Sequence, residues 1–177
     1  MMSIRSISIF IPILIIAALL LSCNEPKEEG RFYNDDLEFS IVFPDGWSTM
    51  WDPESESWCA FSPLENEADM FYEAIGVASF ELPLRFEVEE LFEEIVAATR
   101  QESSGFREKD RGEAYIDGHV ALWITYVYKM PEGLVQAKTY VLADGYRGYI
   151  VTCDAEPHKF SDYQAILEHS AESLRVG

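Results

Sequence analysis

Three sets of side chains in this 177-residue chain are spaced as chemistry would need them. Cys59 and Cys153 are the first. A disulfide between them is permitted in an exported chain. Across so long a loop it would stabilise by about 4 to 5 kcal/mol, provided the two Cα atoms approach within about 7 Å. Otherwise they are two buried free thiols. Their separation excludes a CxxC redox or zinc-knuckle motif. Asp154, Glu156 and His158 are the second set, alternating with Ala155 and Pro157, so that an extended chain aims all three to one side. Carboxylate and imidazole together are a donor set for a divalent metal; the plainer reading is a solvated strand exit. Trp47, Trp51 and Trp58, with Met50, are the third. Exposed, they form an apolar patch for a protein or lipid partner; turned inward, they are sheet core. His119 follows a turn and His169 sits beside Glu168 and Glu172, which suits surface residues. There is no G-x-S-x-G elbow, no H-E-x-x-H, no phosphate-cradling glycine loop, and no histidine flanking either thiol in sequence. The expectation is a protein without catalysis and without a cofactor, a divalent metal at Asp154, Glu156 and His158 being the exception considered.

Whether the chain is exported is written in its first 22 residues. Arg5 supplies a positive start, and Ile7 to Leu21 is an apolar run too short for the roughly 20 residues of a spanning helix. Pro12 weakens such a helix further, and no basic stop-transfer cluster follows, as an uncleaved anchor would require. Residues 1–22 therefore read as a signal peptide cleaved after the small Ser22. The stretch Leu20-Leu21-Ser22-Cys23 resembles the bacterial lipobox. That resemblance implies lipid attachment at Cys23, with a thioether-linked diacylglycerol and an acylated, palmitate-type amine. At about 0.8 kcal/mol per buried methylene, several chains hold where one would let go. Asn24 after the cysteine implies, by the same resemblance, the periplasmic face of the outer membrane in a cell with two membranes. Residues 23–31 form the lipidated N-terminus and linker, and the polar stretch Asn24 to Gly30 with Pro26 reads as a loose tether spanning roughly 16 Å. A partner must come to the membrane surface.

About 155 residues remain after the signal, which suits one domain with a real core. With 48% apolar and 14% aromatic residues, the composition is far from that of disorder. The signal holds one of the 13 basic residues and none of the 32 acidic ones, so the mature part stands near −20. Such a charge repels phosphate backbones and excludes nucleic acid as a partner. It equally keeps the domain itself off anionic headgroups.

The elements that must position the candidate residues are legible in their periods. Leu37, Phe39, Ile41 and Phe43 alternate with polar neighbours up to the turn Pro44-Asp45-Gly46. Trp47 to Trp51, Trp58 to Ser62 and Ala74 to Leu82 read as further strands. From Glu87 the period changes to three and four, with Val88, Leu91, Phe92, Ile95 and Val96 on one side and Glu87, Glu90, Glu93 and Glu94 on the other. That amphipathic helix ends near Ser103 to Gly105. Then come Phe106 to Ile116, the hairpin dipeptide Asp117-Gly118, His119 to Met130, the turn Pro131-Glu132-Gly133, Leu134 to Ala143, Asp144-Gly145 and Tyr146 to Asp154: a four-stranded meander. Val120 to Tyr128 is apolar on both faces and is expected mid-sheet. Ser161-Asp162-Tyr163-Gln164 matches a capping box opening a last helix with Tyr163, Ile166, Leu167, Ser170 and Leu174 as its apolar stripe. The fold class is α+β: an antiparallel β-sheet of about seven or eight strands with two main helices, an α/β/α-type sandwich.

This arrangement resembles the PsbP-like family, which includes the extrinsic photosystem II protein, DcrB-type bacterial lipoproteins and a fold-related nuclear-import factor. The residues that carry the resemblance are Phe39-Ser40-Ile41-Val42-Phe43-Pro44-Asp45-Gly46-Trp47, Ile116-Asp117-Gly118-His119-Val120-Ala121, Tyr149-Ile150-Val151-Thr152 and the closing Ser173-Leu174-Arg175. It makes residues 32–177 one PsbP-like domain and implies a binding or assembly role without catalysis; no binding residue of the family maps onto a position here. The expected function is a lipid-anchored extracytoplasmic binding or assembly protein with a protein partner at the membrane surface. The alternative is a lipoprotein that holds a divalent metal or small ligand on its acidic surface.

Overall fold

The computed structural model describes residues 28–66, 69 and 71–177; the expected signal peptide and Cys23 lie outside the described residues. Strands β3 (Ser48–Asp52), β4 (Ser57–Phe61), β5 (Ala74–Glu81), β6 (Arg107–Ile116), β7 (His119–Met130), β8 (Gly133–Asp144) and β9 (Arg147–Ala155) form one antiparallel sheet in the order β3-β4-β5-β9-β8-β7-β6. Helix α1 (Val88–Glu102) follows β5 and helix α2 (Phe160–Glu172) follows β9. A second, three-stranded sheet joins β1 (Phe32–Asn34), β2 (Phe39–Ile41) and β10 (Arg175–Val176) in the order β1-β2-β10.

The meander expected from the turn residues is present as β6 to β9. Asp117 and Gly118 both take positive φ, 49° and 80°, which is what a two-residue hairpin of right-handed strands asks of its central positions. Strand order departs from expectation in two places. The first alternating segment, reduced to β2, leaves the main sheet and pairs with β1 and the chain's own end, Arg175 opposite Ser40 and Val176 opposite Phe39. The doubly apolar β7 lies one strand from the edge rather than in the middle, which β9 occupies between β5 and β8. β6 covers the outer side of β7, and its exposed charges from Arg107 to Glu113 guard that edge against pairing with another chain.

The two faces of the main sheet are covered differently. On one, Ile75, Val77, Tyr149 and Val151 meet Leu167 and Leu174 from the α2 end and Phe39 and Ile41 from the small sheet, a single continuous core. On the other, Leu91, Phe92 and Val96 of α1 lie over Ile124, Tyr126, Ala137 and Val141. The three-four period from Val88 onward thus buries the side it predicts. Gly148 leaves room for Phe80 of β5 and Leu91 of α1: a Cβ there would stand 2.7 Å from Phe80 Cζ and 3.3 Å from Leu91 Cδ2. Helix α2 starts at Phe160 with Lys159 in the capping position and no side-chain cap, because Ser161 Oγ turns to Asp162 Oδ1 at 3.5 Å; the expected capping box does not form. Its buried stripe is Phe160, Leu167, Ser170 and Ala171, while Ile166 faces solvent.

The tether is shorter than the sequence suggests. Arg31 donates to Ser173 O at 2.7 Å and to Glu28 Oε2 at 3.2 Å, Arg175 Nη1 stands 3.1 Å from the same carboxylate, and Glu28 N donates to Tyr33 Oη at 2.7 Å. Residues 28–31 are therefore part of the folded body, pinned against the chain's end.

A helix is about 10 Å wide, whereas seven strands about 4.8 Å apart span roughly 29 Å. One helix cannot cover such a sheet. α1 lies over β7 and β8, and the opposite half of that face, built from β4, β5 and the end of β9, stays open.

Candidate functional site

The open half-face is a groove of about 730 Å³. Its floor is β5, where Ala74, Gly76 and Ala78 alternate with the core residues Ile75 and Val77. Register places Cys59 of β4 and Thr152 of β9 on either side of Gly76, and these three residues share the groove face. Ser57 stands behind Cys59, its Oγ 3.2 Å from Sγ. Phe61, Phe71, Tyr72, Met130 and Ile150 form apolar walls, with Phe61 and Tyr72 edge to face at 6.4 Å. The last turn of α1 closes one side through Thr99 and Glu102, and Asp52 and Glu132 stand at the rim.

Asp154 occupies the inner end of this groove. Its register partners are Ala74 on β5 and Ala137 on β8, too short to reach its carboxyl. Oδ1 is sealed from solvent and has no hydrogen-bond partner among the described residues. Burial pushes the carboxyl up from 3.8 to about 7. A buried ionised carboxylate normally needs a paired cation; none lines this groove. Nearby, Tyr126 Oη, Thr139 Oγ1 and Thr152 Oγ1 form a hydroxyl chain at 3.2 and 3.1 Å that leads from under α1 to the groove floor. Burial first, and then the Asp154 charge, push the Tyr126 hydroxyl up to about 12, so it stays a donor.

The three residues of the candidate metal set go to three different places. The side-chain alternation holds only while the strand continues, and β9 ends at Ala155. The chain then turns, with Lys159 N donating to Glu156 O at 2.9 Å. Asp154 faces the groove, Glu156 stands 3.5 Å from Lys159 Nζ, and His158 is exposed. No group of three or more His, Cys, Asp or Glu side chains among the described residues is placed to hold a metal ion.

The two thiols are free. Cys59 and Cys153 lie on strands that flank β5, and they point to opposite faces of the sheet. Cys59 lines the groove, while Cys153 is buried in the α2-side core with its Sγ 3.5 Å from Leu167 O. The possible bridge is thus barred by the side-chain alternation itself, and the two remain free thiols. Desolvation raises both thiols above their ordinary range, so neither is an activated nucleophile. In the folded protein N-ethylmaleimide is expected to modify the Cys59 peptide and spare Cys153, with both modified in denaturant; a Cys59–Cys153 crosslinked peptide in non-reducing digests would contradict the geometry.

The tryptophans do not form the candidate patch. Trp47 rests on Tyr163 at 6.4 Å and Trp58 on Phe32 at 4.8 Å, both against the main core. Trp51 and Met50 alone are exposed, on the edge strand β3.

The groove was not foreseen from the sequence, yet it left a trace there. In Ala74-x-Gly76-x-Ala78 one face of a strand carries only small residues while the other carries Ile75 and Val77. A strand packed on both faces rarely has so bare a side.

No family model and no curated protein matches the chain. Solved structures do. The fold superposes on CyanoP, a cyanobacterial PsbP from Synechocystis, with a TM-score of 0.61 and 13% identity over 89% of this chain and 99% of that one. The fold is PsbP-like. PA94 of Pseudomonas aeruginosa shares the PsbP-like fold at a TM-score of 0.61 with 12% identity, over 83% of this chain and 96% of its own. LpqN of Mycobacterium tuberculosis, a protein involved in cell envelope biogenesis, shares it at 0.59 with 12% identity, over 78% and 82%. In this chain the PsbP-like domain is the α+β sandwich anticipated from its meander and its two helices.

Proposed function

We propose that this chain is a lipid-anchored, extracytoplasmic binding protein without catalysis, and that the groove beside α1 holds its ligand. The observation that carries this reading is the half-covered sheet face with its floor of Ala74, Gly76 and Ala78. A sheet face left bare in a fold of this size is a place for something else to sit. The groove pairs no nucleophile with a base: Cys59 touches Ser57, and its thiol is held protonated by burial. The anchor rests on Leu20-Leu21-Ser22-Cys23 and on the acidic charge, which keeps the domain in water. LpqN, which shares the fold, is described as acting in cell envelope biogenesis, in keeping with this setting.

Native mass spectrometry of the full-length lipoprotein extracted from its membrane tests the groove. A bound small molecule under about 1 kDa in the wild type, absent from Gly76→Phe, is the expected result. A ligand-free wild type, or an adduct that survives Gly76→Phe, would overturn it. For the anchor, Cys23→Ala is expected to abolish palmitate incorporation and move the protein out of the detergent-phase fraction; unchanged partitioning would sink lipidation at Cys23.

A further inference from the structure

We propose that the groove beside α1 binds the ammonium group of a small amphiphilic amine, with Asp154 as its counter-ion. This rests on the groove being the ligand site, and four observations single out the amine. Every carboxyl or basic side chain that lines the groove is acidic: Asp52, Glu102, Glu132 and Asp154. Among the described residues the buried and half-buried cations are committed elsewhere, Arg31 to Glu28, Lys138 to Glu168, Arg147 to Glu38 and Lys159 to its own ring of acids. Second, Asp154 Oδ1 is buried and unpartnered, with alanines on both neighbouring strands. An ammonium in the groove beside this carboxyl supplies the missing charge.

Third, α1 turns its C-terminal end to the groove through Thr99 and Glu102. Unpaired carbonyls give that end a partial negative charge, and Arg100, the one basic residue in the last turn, is drawn off to Glu108 at 3.1 Å. Fourth, the walls are apolar and partly aromatic, so the occupant needs an apolar body as well as a charge. An anion is repelled. A neutral ligand leaves the carboxylate unpaired. A divalent ion would need ligands that converge, and these carboxyls are spread from floor to rim.

Cys59 from β4 and Tyr126 and Tyr128 from β7 lie within electrostatic reach of Asp154, and Glu102 from α1, Glu132 from the β7–β8 turn and Asp52 from β3 line the same groove. None is positive. Burial holds this carboxyl's value near 7, so an arriving ammonium drives its proton off. Binding is then linked to pH: below about 7 the acid must be ionised first, and amine affinity falls about tenfold from pH 8 to pH 6.

The test is calorimetric titration of the full-length lipoprotein in dodecyl maltoside with phenethylamine, phenethyl alcohol and phenylpropanoate, three probes of one shape and different charge. At pH 8 the amine is expected to bind at least tenfold more tightly than the alcohol and the anion not measurably. At pH 6 the amine weakens about tenfold with a buffer-dependent heat of proton release, while the alcohol is unchanged. Asp154→Asn reduces the amine to the alcohol's affinity, and Gly76→Phe removes both. Equal affinity of amine and alcohol in the wild type overturns the proposal, as does an amine advantage that survives Asp154→Asn or Gly76→Phe. Alcohol binding abolished by Gly76→Phe, without any amine preference, keeps the groove as a ligand site and discards the amine. If no probe binds and no adduct is found by native mass spectrometry, both fall.

Discussion

At pH 8 the Asp154→Asn protein melts above the wild type, and at pH 4 the two melt together. The expectation follows from a carboxyl whose value is near 7 in the folded chain and 3.8 when unfolded. Below the lower value both states hold the proton and the group is neutral to stability. As pH rises from about 4 to about 7, the unfolded chain releases its proton while the folded chain keeps it, so the unfolded state gains and stability falls; above 7 the deficit is constant. A shift of roughly three pKa units amounts to about 4 kcal/mol at full strength. Hydration from the open groove reduces it, and about 2 kcal/mol, or a rise of roughly 5 °C for asparagine, is the expected difference at pH 8. Thermal melts of both proteins across pH 4 to 9 read it directly. An asparagine variant that melts lower at pH 8 would show that the carboxylate is satisfied by a partner inside the fold. The wild-type residue is thus expected to be less stabilising than its neutral isostere, a pattern expected where a site is shaped for an occupant.

The largest loss is expected from Lys159→Ala. Its ammonium stands among four carboxylates: Asp69 at 3.2 Å, Glu65 at 3.3 Å, Glu156 at 3.5 Å and Glu73 at 3.7 Å. Glu73 is fully buried and fixed by Ser62, whose hydroxyl donates to Oε2 at 2.8 Å and accepts from Glu73 N at 3.0 Å. Removing the only cation leaves a buried carboxylate facing three others, and about 3 kcal/mol, or roughly 10 °C in Tm, is the expected destabilisation at pH 7. Acid narrows the gap. Asp69 is held below its ordinary value by the backbone N–H groups of Glu65 and Phe71 and then by Lys159, so its contribution is present above that value and lost as pH falls. The variant and the wild type should still differ at pH 4 and converge only below it. A variant that melts within 2 °C of the wild type at pH 7 would mean that the acids find solvent instead.

Much of this was readable in the chain. The meander and α1 follow from periods of two and three to four residues broken by glycine turns, signals that are local in sequence. Strand order is not local. β5 chooses β9 across 70 residues, Ala74 opposite Asp154 and Glu81 opposite Arg147, and that choice puts Asp154 between two alanines. The small sheet depends on the chain's last residues meeting Ser40 and Phe39. Alternation in Asp154, Glu156 and His158 was a sound rule applied three residues past the end of its strand. The groove itself is defined by what α1 fails to cover, and a helix's periodicity reveals which side it buries without revealing which strands lie beneath. The cage around Lys159 draws its acids from two segments some 90 residues apart, so no spacing could announce it.

The pinned segment Glu28–Arg31 bears on which way the protein looks. It rests on Ser173 and Arg175, on the side of the main sheet that carries α2 and the small sheet. With the lipid anchor proposed for Cys23, only five peptide steps separate the acyl chains from that fixed point, at most about 18 Å. So brief a leash acts as a compass. Held by that proposed anchor, the small sheet would turn toward the bilayer, and the groove, on the far side of the seven strands, would open to the aqueous compartment.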